Sequence, residues 1–371
     1  MLVAKQVTRD KWKQDKTGCS TCSTALLGGL MSALQWSMIK RRANARHVEL
    51  PEVMRAAAIS RFGPPSVLLS RKLDVPRPSP TEVVIALEWA GVGSWDASIR
   101  DGSWSEGGAK FPLVPGVDGA GIVVARGARV RRLSVGDRVY AYEFGNSKGG
   151  FYAQYTAAHA EHVDRVPKSL GLREAAAMVT TGLTAMQGID LLRLNTRSRV
   201  LIFGASGAVG TMAVQIAKQR GATVVATASG RRATRIVRQL GADLVVDARG
   251  DSAVEQLRTA APDGLDAVLA LAGGESLEQF VDLLSANGRI AFPNGVDPEP
   301  KRRGRLRVEG YDAVADPRQF RRLRRFVDKA RVQVPIAAVY PLGQAARAHR
   351  RLEGGKIVGR IVLSIPIPDR G

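Results

Sequence analysis

Cysteine is almost missing from this chain. Cys19 and Cys22 are the only two in 371 residues. That excludes a disulfide framework and a four-thiolate zinc site. A lone C-x-x-C outside a thioredoxin-like context is weak evidence of redox chemistry. Histidine is nearly as scarce: His47, His159, His162 and His349 show none of the spacings of a metalloenzyme. Aromatic residues make up 5% of the chain. No apolar stretch reaches the length of a membrane span, so no membrane partner is expected. Acid is also short, with 34 Asp and Glu against 55 Lys and Arg, a net charge of +21. What remains is the composition of an α/β protein long enough for two domains. A reducing, cytoplasmic setting is the expectation.

The surplus charge is mostly scattered arginine. Its densest cluster is Lys301 to Arg307 plus Arg318 to Arg331. In the second segment Phe320, Leu323, Phe326, Val327 and Ala330 fall on one helical face, which leaves the arginines on a solvated face. Nucleic acid is a possible partner for such a surface, but no aromatic interleaving or binding motif accompanies the charge.

The most informative stretch runs from Val200 to Ser229. Val200 to Phe203 is an unbroken apolar run, as for a parallel strand covered on both faces. Gly204, Ala205, Ser206, Gly207, Ala208, Val209 and Gly210 follow. The glycines serve in turn a tight turn, close approach of a pyrophosphate, and close helix–strand packing. Ser206 departs from the strict G-x-G-x-x-G spacing. Val209, Met212, Ala213, Ile216 and Ala217 then make one apolar helix face. The unit is strand, glycine turn, helix, strand. Its helix start, at Ala208 to Gly210, offers N–H groups and a positive dipole end to a pyrophosphate. A glycine-rich packing turn is the plainer alternative.

The second strand ends Thr227-Ala228-Ser229-Gly230-Arg231-Arg232. A site preferring NAD carries an acid here for the ribose 2′-hydroxyl, and none is present. Ser229 with Arg231 or Arg232 suits a 2′-phosphate instead. The expected cofactor is therefore NADP(H). The alternative is that both arginines belong to a solvated helix start.

Residues 1–53 differ from the rest, being basic, rich in Ser, Thr and Lys, and without strand–helix alternation. We read them as a disordered extension, with Met54 as a candidate initiator. Ala25 to Met38 is mildly apolar, but its long polar lead argues against a signal segment. Residues 54–172 show short strands punctuated by Gly and Pro. Residues 173–297 alternate helices with parallel strands. Residues 298–371 return to mixed structure and complete both domains.

Several stretches, in order, resemble the medium-chain dehydrogenase/reductase superfamily. They are Phe62-Gly63-Pro64-Pro65, Gly91-Val92-Gly93-Ser94-Trp95-Asp96, Pro115-Gly116-Val117-Asp118-Gly119-Ala120-Gly121, Val135-Gly136-Asp137-Arg138-Val139 and Thr181-Gly182-Leu183-Thr184-Ala185. With the glycine turn they cover nearly all the chain after residue 53. The resemblance is to the zinc-free quinone oxidoreductase branch, which includes the zeta-crystallins. It implies an α/β fold: a Rossmann doubly wound parallel sheet plus a GroES-like, mostly β domain, with the active site in the cleft between them. Zinc members carry a cysteine at Gly93 and a His-Glu pair at Val117-Asp118. Glycine and valine cannot ligate zinc, so no metal is expected. Without a Lewis acid, alcohol oxidation loses its usual alkoxide stabilisation. What fits is hydride transfer from NADPH to an electron-poor acceptor, a quinone or an α,β-unsaturated carbonyl.

The resemblance also marks departures. Relatives often have asparagine at Gly93 and tyrosine at Ser98, and a lysine and a tyrosine at Ala233 and Ala248. Ser98 keeps one hydroxyl for the substrate, and Arg231 and Arg232 must hold a 2′-phosphate. Asp96 is a candidate acid or base. Its plainer reading is a buried structural carboxylate hydrogen-bonded to Arg100. Asp118 is expected to pair locally. The resemblance places Thr181 and Thr184 at the nicotinamide ribose or carboxamide, with Thr181 as a helix N-cap in the plainer reading. Leu271 should line the adenine or ribose edge. Phe292 and Asn294 stand at a strand end where open α/β sheets bind ligands. The reading is an NADPH-dependent reductase of small-molecule acceptors, expected as a homodimer. The alternatives are an enone or enoyl reductase, and a nucleotide-binding regulatory protein with a basic nucleic-acid surface.

Overall fold

Two sheets organise the structure, and each follows from a different hydrophobic pattern. A computed structural model describes residues 49–104, 109–250 and 252–366. In chain order the first elements are β1 (Val53–Ala58), β2 (Leu69–Asp74), β3 (Glu82–Val92), α1 (Ser94–Asp101), β4 (Asp118–Arg126), β5 (Arg138–Tyr142), β6 (Tyr155–His159) and β7 (Val163–Arg165). Next come α2 (Leu172–Leu192), β8 (Arg199–Phe203), α3 (Ala208–Gln219), β9 (Thr223–Thr227), α4 (Arg231–Gln239), β10 (Leu244–Val246), α5 (Ala253–Ala260) and β11 (Leu265–Ala270). The last are α6 (Glu275–Val281), β12 (Leu284–Pro293), β13 (Arg307–Tyr311), α7 (Pro317–Ala330), β14 (Ile336–Pro341), α8 (Ala345–Glu353) and β15 (Arg360–Ser364).

The six-stranded sheet has the order β10-β9-β8-β11-β12-β13. Every pairing in it is parallel. The chain starts in the middle at β8, runs outward to β10, then crosses back to β11. This reversal opens a crevice at the C-terminal ends of β8 and β11, where such sheets bind ligands. Val200 to Ile202 and Ala267 to Ala270 are almost wholly buried, as unbroken apolar runs require.

The other large sheet has the order β14-β15-β3-β4-β5-β7, with β6 also paired to β3. It is antiparallel except for the pair β14 and β15. The architecture is thus a doubly wound parallel sheet plus a GroES-like β unit. The final segment serves both: β13 extends the parallel sheet, while β14 and β15 extend the other.

Helix α2 joins the two. It packs on β3, β4 and β5 on one side and on α3, β11 and β12 on the other. Leu183, Ile189 and their neighbours therefore share a core with Ala120 and Tyr140 of the antiparallel sheet. A second contact comes from β15. The Gly359 amide donates to the Ser206 carbonyl at 2.9 Å, so this strand begins against the glycine turn.

One expectation needs correction. The packed chain begins before Met54: Leu50 is buried, Val53 pairs with Asp74, and the Val75 amide donates to the Glu52 carbonyl at 2.9 Å. The rest of the predicted extension, residues 1–48, lies outside the described residues. The basic helix α7 buries Phe320, Leu323 and Val327, as its spacing requires. Part of its arginine charge is paired within the chain, Arg322 with Asp190 and Arg324 with Asp164.

Candidate active site

The glycine turn has the geometry its sequence demands. Gly204 has φ of +87°, a conformation that penalises any side chain. Its amide donates to the Thr227 hydroxyl at 2.8 Å, which ties the turn to the end of β9. A Cβ on Gly210 would stand 2.4 Å from the Gly204 carbonyl oxygen, so only glycine lets α3 pack this closely. A Cβ on Gly207 would meet nothing nearer than 3.5 Å; that side is open. The Thr211 amide bonds back to Gly207 at 2.9 Å. The N–H groups of Ala208, Val209 and Gly210 precede it and have no intrahelical acceptor. A cradle with an open face and unpaired donors fits a pyrophosphate. Ala205 is buried beneath the turn and Ser206 is half-buried at its rim.

Ser229, Arg231 and Arg232 line a cavity of about 260 Å³. Sequence reading missed its other wall, which carries Arg351 and Lys356. Both lie more than a hundred residues downstream, next to β15 of the antiparallel sheet. Lys356 is held at φ of 53°, a left-handed conformation uncommon outside glycine. The Arg351 guanidinium donates to the Gly355 carbonyl at 2.7 Å and braces that turn. One acid also reaches the site. The Ser229 hydroxyl donates to Asp247 at 2.6 Å and holds that carboxyl below the usual range. Asp247 follows β10, one strand beyond the strand end where an acid was sought.

Leu271, Phe292 and Asn294 stand with Gly204 along the C-terminal ends of three adjacent parallel strands. The Leu271 amide donates to the Phe203 carbonyl at 3.0 Å. Phe292 is buried and Asn294 exposed. The Asn294 side chain donates to Asp312 at 2.7 Å. Thr181 and Thr184 require a correction. They lie in the middle of α2, whose N-cap is Gly171, so Thr181 caps nothing. The Thr181 hydroxyl bonds the carbonyls of Ala177 and Met178, both at 3.1 Å, and Thr184 bonds Thr180 at 2.9 Å. The Thr184 carbonyl accepts from the Tyr311 hydroxyl at 2.9 Å, at the end of β13.

Beneath the joint of the two sheets lies a buried polar cluster. Asp96 does not pair with Arg100, as the sequence suggested. Its oxygens accept from the Gly93 amide at 2.7 Å and the Val117 amide at 3.1 Å. Arg100 sits at the far end of α1 and faces outward from it, to the Gly63 carbonyl, His349 and Glu353. Burial, then the charge of Asp118, pushes the Asp96 carboxyl up to about 7. Asp118 does not pair locally either: its partner is Arg360, 242 residues away. Its chain neighbours Gly119, Ala120 and Gly121 offer no cation. The Arg360 guanidinium also lies 5.2 Å over the Trp95 ring.

The same cluster fixes a histidine. Arg100 has only donors, so the His349 Nδ1 it approaches at 3.1 Å is the accepting nitrogen. Nε2 therefore carries the proton and donates it to the Tyr152 oxygen at 3.1 Å. Burial and the neighbouring Arg100 charge push His349 down to about 3, so the ring is neutral.

For a metal, Gly93 and Val117 bring no donor, and both Asp118 oxygens are on Arg360. Among the described residues no group of three or more His, Cys, Asp or Glu could share an ion.

Two hydroxyls sit near the joint. Ser98 is half-buried on the last turn of α1. Tyr142, which sequence reading overlooked, pairs with Asp118 in the sheet and packs against the core shared with α2. Burial, aided by the charges of Asp118, Asp312 and Asp96, pushes its phenol up to about 12. It stays protonated at neutral pH.

Comparison with known proteins agrees with this geometry. Residues 79–168 match the family described as alcohol dehydrogenase GroES-like domain, and residues 240–363 match that described as zinc-binding dehydrogenase. A quinone oxidoreductase of Rattus norvegicus is 30% identical over 327 residues, covering 84% of this chain and 98% of that protein. A solved NAD-dependent alcohol dehydrogenase is 30% identical, with a TM-score of 0.79 over 84% of this chain and 100% of its own. A mycobacterial protein solved in complex with NADPH is 26% identical, with a TM-score of 0.75 over 84% of this chain and 99% of its own.

Proposed function

The chain is an oxidoreductase of the medium-chain dehydrogenase/reductase superfamily, and we propose that it transfers hydride from NADPH to a quinone or other electron-poor carbonyl acceptor without zinc. The observation that carries this is the cavity at the end of β9. Four cationic side chains, Arg231, Arg232, Arg351 and Lys356, line it, while the Ser229 hydroxyl is held by Asp247. That donor set matches a phosphate ester better than a ribose hydroxyl. A relative solved with NADPH supports the same choice.

When bound, the reduced nicotinamide supplies the hydride. The residues of this chain bind and orient. The Ala208 to Gly210 amides and the positive end of α3 hold the pyrophosphate. Gly204, Ala205, Ser206 and Gly207 give it a surface free of side-chain obstruction. Leu271 lines the adenine or ribose edge and Asn294 the nicotinamide side, with Phe292 packed in the core behind them. Thr181 and Thr184 contribute shape and backbone, since their own helix takes their hydroxyl protons. Asp96 acts as a positioning residue. Its two oxygens clamp the Gly93 turn to Val117 and so fix the cleft floor. Ser98 and Tyr142 offer hydroxyl protons to the acceptor oxygen, where negative charge develops as hydride arrives. Residues 49–172 form the acceptor domain, residues 173–297 the cofactor domain, and residues 298–366 complete both.

An acceptor panel tests this reading. The protein is mixed with NADPH and a benzoquinone, a naphthoquinone or an enone, and NADPH absorbance is followed. NADP with primary alcohols is run beside it, with and without chelator. Quinones should consume NADPH at chelator-independent rates. Turnover confined to alcohols and abolished by chelation would overturn the proposal.

A further inference from the structure

Trp104 and Phe144 are among the few large apolar side chains left exposed on the described surface, at 40% and 50%. They are also in contact, with ring centroids 5.4 Å apart and planes at 83°. Two exposed aromatic rings in contact offer a ligand a flat apolar surface that a single one does not. Their setting says which ligand. Trp104 follows α1, and its amide donates to the Ser98 carbonyl at 3.2 Å. Phe144 stands two residues past Tyr142 at the end of β5. Trp104 Cζ2 lies 3.5 Å from where a Cβ on Gly295 would be. Gly295 follows Asn294 at the C-terminal end of β12. The pair thus reaches from the antiparallel sheet to the ligand-binding edge of the parallel one, beside both proposed hydroxyls.

We propose that Trp104 and Phe144 form a stacking wall that makes the acceptor site select planar, fused-ring quinones over small open-chain enones. This rests on the functional reading above. The physical basis is electronic and steric. An indole face is electron-rich and a quinone ring electron-poor, so offset stacking is attractive beyond the apolar area covered. A two-ring quinone has the ring area to stack on one ring of this T-shaped pair while meeting the other. An open-chain enone has no ring face to offer and covers little of either.

The test measures binding to the full chain loaded with NADP, by calorimetric titration with 1,4-naphthoquinone and, separately, with but-3-en-2-one. Unaltered protein is compared with Trp104→Ala, Phe144→Ala and Trp104→Phe. Both side chains stand at the surface and outside the core clusters, so truncation leaves no core cavity. Trp104→Ala should weaken naphthoquinone binding by about ten-fold, and Trp104→Phe by less than about three-fold. The enone should change by less than about two-fold in every variant. Naphthoquinone binding equal in Trp104→Ala and unaltered protein, or absent from unaltered protein, would overturn the wall. NADPH consumption is followed in parallel and judges the functional reading separately. Quinone turnover with no effect of Trp104→Ala on binding defeats the wall alone. Selective binding without any NADPH oxidation defeats the reductase reading alone.

Discussion

Arg360 donates from a single guanidinium nitrogen to both oxygens of Asp118, at 2.9 and 3.0 Å, across 242 residues of chain. Both side chains are almost completely buried. Their attraction offsets a large desolvation cost, and the pair holds β15 to β4 beneath the cleft. Removing one partner leaves a buried charge alone. Arg360→Met should therefore cost about 3–5 kcal/mol, read as a shift of the urea unfolding midpoint. Adding Asp118→Asn should recover a large part of that loss. Equal stability of the single and double variants would argue against the pair as the source.

Asp96 makes stability depend on pH. Its carboxyl is pushed up to about 7 in the folded chain, whereas an unfolded aspartate titrates near about 3.9. The folded state thus binds the proton more tightly. The stabilisation is complete below about pH 4 and is lost as pH rises through about 7. Asp96→Asn should remove this dependence, at a cost in absolute stability because its amide nitrogen faces a backbone N–H. Urea midpoints at pH 5 and pH 8 check it. The unaltered protein should lose more than the variant between those values; parallel losses would refute the raised carboxyl.

Tyr142→Phe removes one hydroxyl and little else. With NADPH and a quinone, kcat should fall about ten- to hundred-fold. The Kd for NADPH should not change, because the phenol lies away from the phosphate cavity. An unchanged kcat would leave Ser98 as the sole hydroxyl acting on the acceptor.

Leu50 is the first buried residue in the described part of the chain. Leu50→Ala should cost about 2 kcal/mol, the lower end for truncating a buried leucine. A chain beginning at Met54 should melt lower than one beginning at Glu49, since it also loses the pairing of Val53 with Asp74. Equal melting temperatures would put the boundary back at Met54.

The parallel sheet was legible because its signals are local. Val200 to Phe203 is apolar throughout, and Gly204, Gly207 and Gly210 act within a single turn. The cofactor crevice follows from those residues and the strand ends at Leu271 and Asn294. What was not legible depends on chain segments that only folding brings together. Arg351 and Lys356 reach Ser229 from far downstream. Arg360 answers Asp118 in the same way, and Arg100 turns from Asp96 to His349 and Glu353. Trp104 sits in a stretch without periodicity, and Tyr142 ends β5, whose burial does not alternate along the strand, so nothing in the sequence says which way either side chain faces. Thr181 was misplaced at a helix start although the stretch before it, Leu172 to Met178, is made of good helix formers and already opens the helix.

Initial rates of quinone reduction with NADPH and with NADH, in unaltered protein and in Arg231→Ala/Arg232→Ala, test the proposed activity most directly. A charge-assisted hydrogen bond contributes about 1.5–3 kcal/mol, and solvent screening lowers it here. NADPH should therefore be favoured over NADH by about ten-fold or more in kcat/KM. The double variant should lose most of that advantage while its rate with NADH stays nearly constant. No oxidation of either cofactor by any quinone, or equal kcat/KM for both cofactors in the unaltered protein, would contradict it.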